Sequence, residues 1–295
     1  MFKQIKMQKS VELIMAPPSP HFVGDGFRVH TFIPSSYRID MHRMNPFIML
    51  DYNSKHYFEP SDTPRGVGVH PHRGFETVTI AYSGKVAHHD SAGGGGIIGE
   101  GDVQWMTAAS GVLHKEYHEA EFARSGGWFQ MVQLWVNLPA KFKMSAPKYQ
   151  AISNSQMKTV PIQGTGHVEL IAGNFHSEMG PASTFSPVHI SNAKLKTGDV
   201  AEYSFPAHFN TAMIVVEGEV MINGTEHSPL NHFILMENNG EDFTITASQD
   251  STVLVLSGEP INEPIAAHGP FVMNTHQELV EAFNDFNNGK FGYLE

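Results

Sequence analysis

Two short dyads, His70-x-His72 and His114-x-Glu116, constrain this chain more than any other feature. The i, i+2 spacing puts both side chains of each dyad on one face of an extended strand. Laid side by side, two such strands bring three imidazoles and one carboxylate to a single point, which is a metal site. Pro71 lies inside the first dyad and has no N–H to donate, so this segment belongs at a barrel rim or sheet edge, where a substrate can approach.

The rest of the chain also reads as strands. Short apolar or alternating segments are punctuated by 27 Gly and 18 Pro, while helix-favouring runs are scarce. Phe47-Ile48-Met49-Leu50 reads as a buried strand ending at Asp51, and Glu76–Tyr82 as a strand closed by a turn at Ser83-Gly84. Gly101-Asp102 signals a hairpin before Val103-Gln104-Trp105-Met106. Trp128–Leu138 alternates as a long barrel strand that Pro139 stops. The exception is the C-terminus: Thr275-His276-Gln277-Glu278 is a capping box, and Leu279, Phe283 and Phe286 follow at helical spacing. A helix over about 275–288 is expected there, its stripe packed on a barrel.

At 295 residues the chain exceeds the usual single domain, so two domains are expected. The halves share a rhythm. Val216-Glu217-Gly218-Glu219-Val220 echoes Tyr82-Ser83-Gly84-Lys85-Val86, and Thr197-Gly198-Asp199 echoes Glu100-Gly101-Asp102. Aligning Gly218 with Gly84 sets Ser204 and Pro206 against His70 and His72, so a duplicated second half has lost the metal residues. Residues 139–160 read as the connection, giving an N-terminal metal-binding unit over 1–145 and a C-terminal metal-free unit over 146–295 that ends in the helix.

Three imidazoles and a carboxylate suit divalent Fe, Mn, Co, Ni, Cu or Zn, and affinity order alone does not choose among them. Four protein ligands on an octahedral ion leave two positions for water, substrate or O₂. Glu76, four residues after His72, competes with Glu116 as the carboxylate; Glu116 is preferred because it shares a strand face with His114. Arg73, His88, His89, Gln104 and Trp105 are candidates for the pocket or for support of the ligands, Gln104 most of all.

Other chemistries find no support. The net charge, 19 − 30 = −11, disfavours direct nucleic-acid binding, and the absence of cysteine removes thiolate sites, disulfides and thiol nucleophiles. Gly94-x-Gly96-x-x-Gly99 matches a dinucleotide pattern, but Glu100-Gly101-Asp102 is a turn rather than a helix start, so a mobile loop at the barrel mouth is expected instead. Lys3, Lys6 and Lys9 precede no apolar run of signal-peptide length, and no stretch approaches a membrane span, so a cytoplasmic protein without membrane contact is expected.

Beyond the dyads, several long motifs are similar to those of one family. His70-Pro71-His72-Arg73-Gly74-Phe75-Glu76-Thr77-Val78, Gly101–Ala108, Gly111-Val112-Leu113-His114-Lys115-Glu116, Gln133–Pro139 and His268–Thr275 resemble the pirin family of the cupin superfamily. The Gly93–Gly96 run and Ala109-Ser110 depart from its pattern. The resemblance implies an all-β bicupin: two tandem double-stranded β-helix (jelly-roll) barrels, with metal in the first alone. It implies His70, His72, His114 and Glu116 as ligands, Glu76 excluded, and iron, Fe(II), as the metal. It further implies quercetin 2,3-dioxygenase activity on a flavonol or related phenolic; in such a reaction Glu116 is expected to take the proton of the flavonol 3-hydroxyl, serving as ligand and base. The alternative it carries is a non-enzymatic, iron- and redox-dependent module that binds transcriptional or metabolic proteins.

Overall fold

The alternating segments become antiparallel strands throughout a computed structural model that describes residues 7–36 and 39–295; Lys3 and Lys6 fall outside them. Backbone contacts divide the chain into two compact units. One comprises Pro18–Asn154 and Ile261–Glu295; the other comprises Ser155–Pro260 together with the N-terminal residues up to Pro17. This differs from a single cut between 145 and 146, for two physical reasons. The strand Val11–Met15 hydrogen-bonds to Phe233–Met236 and so completes the second unit's sheet. The C-terminal helix His276–Asn287 places Leu279, Ala282 and Phe283 against Phe271, Phe291 and Leu113, inside the first unit.

Each unit contains a seven-stranded and a four-stranded sheet. In the first, the larger sheet runs, in spatial order, Lys148–Ile152, Val103–Thr107, Phe75–Ser83, Gly127–Asn137, Phe47–Phe58, Phe27–Ile33, His21–Val23. Its smaller sheet runs Gly66–His72, Val112–His118, Val86–Asp90, Gly95–Ile98. The second unit repeats both orders, so Val200–Ser204 and Asp242–Ala247 stand where Gly66–His72 and Val112–His118 stand in the first. Ten strands repeat in the same order, as expected of a duplicated unit; the eleventh place is taken by Lys148–Ile152 in the first unit and by the N-terminal strand Val11–Met15 in the second.

One of the two echoes holds in position. Gly84 and Gly218 both follow equivalent strands with φ of 83° and 75°, a left-handed conformation that glycine adopts without strain. Gly198 and Gly101 do not correspond: Gly101 leads into Val103–Thr107, whereas Gly198 leads into Val200–Ser204, the counterpart of Gly66–His72. Two other expectations are corrected. The strand beginning at Phe47 continues past Asp51 to Phe58, because residues 127–131 of the neighbouring strand pair with it along that length. Gly95–Ile98 is a strand paired with Val86–His89 rather than a loop.

The second unit's core packs Leu170, Ala193, Met213, Val215, Ile234, Val253 and Val255 around Tyr203 and Phe243. In the first unit, Phe27, Val29, Phe58, Ala81, Val86, Phe129 and Met131 fill one end of the interior, and the histidine cluster lies on the smaller sheet. No described helix is long and apolar enough to cross a membrane.

Candidate metal centre

The dyad strands are neighbours, which is the condition for their side chains to converge. Gly66–His72 pairs antiparallel with Val112–His118, with His114 opposite His70 and Val112 opposite His72. The register slips between His114 and Glu116, so Glu116 stands opposite Val67. One ring nitrogen from each of His70, His72 and His114 lies within 4.8 Å of the others, and the ring centroids are 4.2 to 4.8 Å apart. Backbone carbonyls orient two of the rings: Nδ1 of His70 meets Gly68 O at 2.8 Å, and Nδ1 of His72 meets Pro270 O at 3.3 Å. Both Nδ1 atoms therefore carry the proton, which leaves the Nε2 lone pairs free. Nε2 of His114 is buried without a hydrogen-bond partner.

Burial pushes the His72 and His114 imidazoles well below their ordinary pKa, and the neighbouring imidazoles push further in the same direction. Neutral imidazoles are what a divalent ion requires. A buried, unpartnered imidazole nitrogen among two more imidazoles is costly by itself, so the donor set fits a borderline transition-metal ion.

Glu116 is held differently. Its Oε1 accepts from Gln104 Nε2 and, at 3.3 Å, from Thr79 Oγ1, while Oε2 accepts from Gln133 Nε2 at 2.8 Å. It groups with His114 and His88 within 4.8 Å, rather than with the first three imidazoles as a set. His114 thus belongs to both groups. Glu76 stands in neither: it is buried, accepts from Thr107 Oγ1 at 2.7 Å, and burial lifts its pKa to about 7.

Of the other sequence candidates, Gln104 reaches the site through Glu116, and His88 lies 3.4 Å from His114, Nδ1 to Nδ1. Arg73 is buried; its Nε donates to Ser110 O, its Nη2 to Asp285, and its guanidinium covers the Phe291 ring. It ties the strand of the first dyad to the C-terminal helix. Trp105 is a core side chain, and His89 faces outward beside Tyr117.

A cavity of about 460 Å³ opens onto the cluster, lined by His70, His72, Glu116 and Gln133, with Trp135, Met131, Phe27 and Asp51 among its walls. Trp135 stacks on Phe75 at 4.2 Å and meets the His72 ring at 5.1 Å. Asp51 is the register partner of Gln133; burial raises its carboxyl above the ordinary range, against the Thr31 hydroxyl that donates to it at 2.6 Å. Asp51, Gln133 and Trp135 were not singled out from the sequence as site residues. Only the cross-strand register, which local spacing does not encode, brings them to the dyads. A larger hollow of about 550 Å³ in the other unit, beside Glu202, Tyr203 and Asp242, collects no such imidazole group.

Comparison with known proteins agrees with this architecture. The Pirin family matches residues 26–136, and the Pirin C-terminal cupin domain matches residues 190–292. A Pseudomonas aeruginosa protein provisionally named a quercetin 2,3-dioxygenase is 44% identical over 96% of this chain and 98% of its own length. A pirin-like protein of Solanum lycopersicum is 34% identical over 92% of this chain and 89% of its own. The crystal structure of a quercetin 2,3-dioxygenase from Acinetobacter baumannii superposes with a TM-score of 0.91 at 45% identity, covering 98% of this chain and all of that one. With both cupin units matched and these relatives aligned nearly end to end, this chain belongs to the pirin family.

Proposed function

We propose that the chain is a metal-dependent dioxygenase that cleaves the central ring of a flavonol or a related phenolic with O₂. His70, His72, His114 and Glu116 are the proposed ligands, and Fe(II) is the proposed metal. The observation that carries this reading is the cavity of about 460 Å³, which puts an apolar wall beside the imidazole cluster instead of capping it. A centre that served only as a redox-dependent docking module would need no hollow for a small molecule. The names of the Pseudomonas and Acinetobacter proteins point to the same substrate class.

Bound at the cluster, the metal supplies a positive centre for a phenolate oxygen and an electron path to O₂. The chain's own residues prepare the rest. Trp135, Met131 and Phe27 offer flat and flexible apolar surface for an aromatic ring system. Glu116 takes the proton of the substrate hydroxyl. Oε1 already accepts from Gln104 and Thr79, so the second lone pair of Oε2, which accepts only from Gln133, is the one that can coordinate the ion or accept that proton. Gln104 and Gln133 fix the carboxylate from both sides, which holds the base in one orientation. Asp51, which also lines the cavity, is the proposed hydrogen-bond partner of a second hydroxyl of the ligand.

The test is O₂ uptake after anaerobic reconstitution with Fe(II), with quercetin and related flavonols as substrates. Metal-dependent uptake that disappears in His72→Ala is expected. Full iron occupancy with no uptake on any flavonol would overturn the enzymatic reading in favour of the binding module.

A further inference from the structure

His88 and Asp90 occupy one face of the strand Val86–Asp90 and pair in register with Glu116 and His114. Both are buried. His88 Nε2 lies 3.3 Å from Asp90 Oδ2, and His88 Nδ1 lies 3.4 Å from His114 Nδ1. These contacts fix the protons in one order. Asp90 accepts backbone N–H bonds from Ala92 and Gly94, both at 2.9 Å on Oδ1, so its Oδ2 is an acceptor for His88. A neutral His88 that donates from Nε2 has only a lone pair at Nδ1, and His114 must then donate from its own Nδ1. That leaves the buried, unpartnered Nε2 of His114 with its lone pair outward, in the tautomer that binds a metal.

The surroundings hold this arrangement in place. Tyr149 stacks on His88, with centroids 5.2 Å apart and planes 22° apart, and its hydroxyl reaches Gln104. The glycine run that departs from the family's pattern closes over Asp90. A Cβ at position 94 would stand 2.3 Å from Asp90 Oδ2 and 2.7 Å from the Tyr149 Cβ, so only glycine lets the loop pack against both. Nothing in the proposed reaction uses Asp90 or His88, yet a loop, a stacked ring and a buried carboxylate are committed to them.

We propose that His88 and Asp90 are a positioning pair that locks the His114 tautomer and enriches its ring with electron density, thereby setting the affinity and redox potential of the bound metal. The inference rests on the reading of His70, His72 and His114 as a metal centre. A His114 ring that donates to a carboxylate-backed imidazole is the stronger ligand and favours the higher oxidation state.

The test uses the full-length protein and two variants, His88→Phe, which keeps a ring against Tyr149, and Asp90→Asn, which keeps the shape and removes the charge. Co(II) affinity is measured by chelator competition, and the Fe(III)/Fe(II) midpoint is measured anaerobically. Each variant is expected to stay folded by circular dichroism and still saturate with one ion. Affinity should fall about 10- to 100-fold, the midpoint should rise, and the Co(II) absorption bands should shift. The double variant should be no worse than His88→Phe, because Asp90 acts through His88. Parental affinity, midpoint and spectrum in both single variants would overturn the inference, provided His114→Ala has lost its metal. Should His114→Ala bind metal like the parent, the centre itself is misassigned and the inference falls with it.

Discussion

Glu76 and Glu116 are both buried, and their neighbours set them apart. Glu116 is braced by two glutamine amides beside the imidazoles, whereas Glu76 is sealed away with a single hydroxyl donor, Thr107. Burial lifts the Glu76 pKa from its ordinary 4.5 to about 7, so Glu76 favours the folded state in its protonated form. That stabilisation is complete below about pH 4.5 and is lost as pH rises through 7, a span of roughly 3 kcal/mol. Glu76→Gln is therefore expected to gain stability over the parent as pH is raised from 5 to 8 in urea unfolding, with unchanged metal content. A constant difference across that range would show that the carboxyl titrates normally. Asp51→Asn tests the cavity wall: KM for polyhydroxylated flavonols should rise several-fold with metal content intact, and an unchanged KM would remove Asp51 from the substrate contact. At this scale the imidazole cluster was legible because i, i+2 spacing is a local property. His88 was a candidate from the sequence, but Asp51, Gln133 and Asp90 were not, because cross-strand neighbours depend on register.

At the level of elements, the C-terminal segment contributes to the centre more than its distance along the chain suggests. Pro270 O orients His72, Arg73 reaches Asp285 on the helix, and Phe291 lies under the Arg73 guanidinium. The capping box that starts this helix is formed in full, with Thr275 Oγ1 accepting from Glu278 N at 3.2 Å and Glu278 Oε2 accepting from Thr275 N at 2.8 Å. Thr275→Ala should cost about 1 kcal/mol of unfolding free energy in denaturant titration, and a change near zero would mean the helix draws its stability from packing alone. The helix itself was readable from the box and the Leu279, Phe283 stripe. Its partner was not, since an apolar stripe specifies that a face is buried but not against which strands. The same limit explains the strand from Phe47, whose extension past Asp51 comes from its pairing with residues 127–131 rather than from its own pattern.

For the whole molecule, the repeated strand order of the two units was foreshadowed by the Gly84 and Gly218 turns, which recur because a left-handed turn residue is hard to replace. The unit boundaries were not foreshadowed, because an edge strand from the N-terminus and a helix from the C-terminus each join the unit whose bulk is the more distant from them in sequence. Metal should protect only one unit. Amide exchange in Gly66–His72 and Val112–His118 should slow on metal addition, while Val200–Ser204 and Asp242–Ala247 stay unchanged; equal protection of both would contradict a single centre. The most direct test of the account is bound divalent metal per chain, measured after Fe(II) reconstitution and gel filtration, in the parent and in a folded His114→Ala variant. The account predicts one ion per chain in the parent and close to none in the variant. An equal content in the two would contradict it.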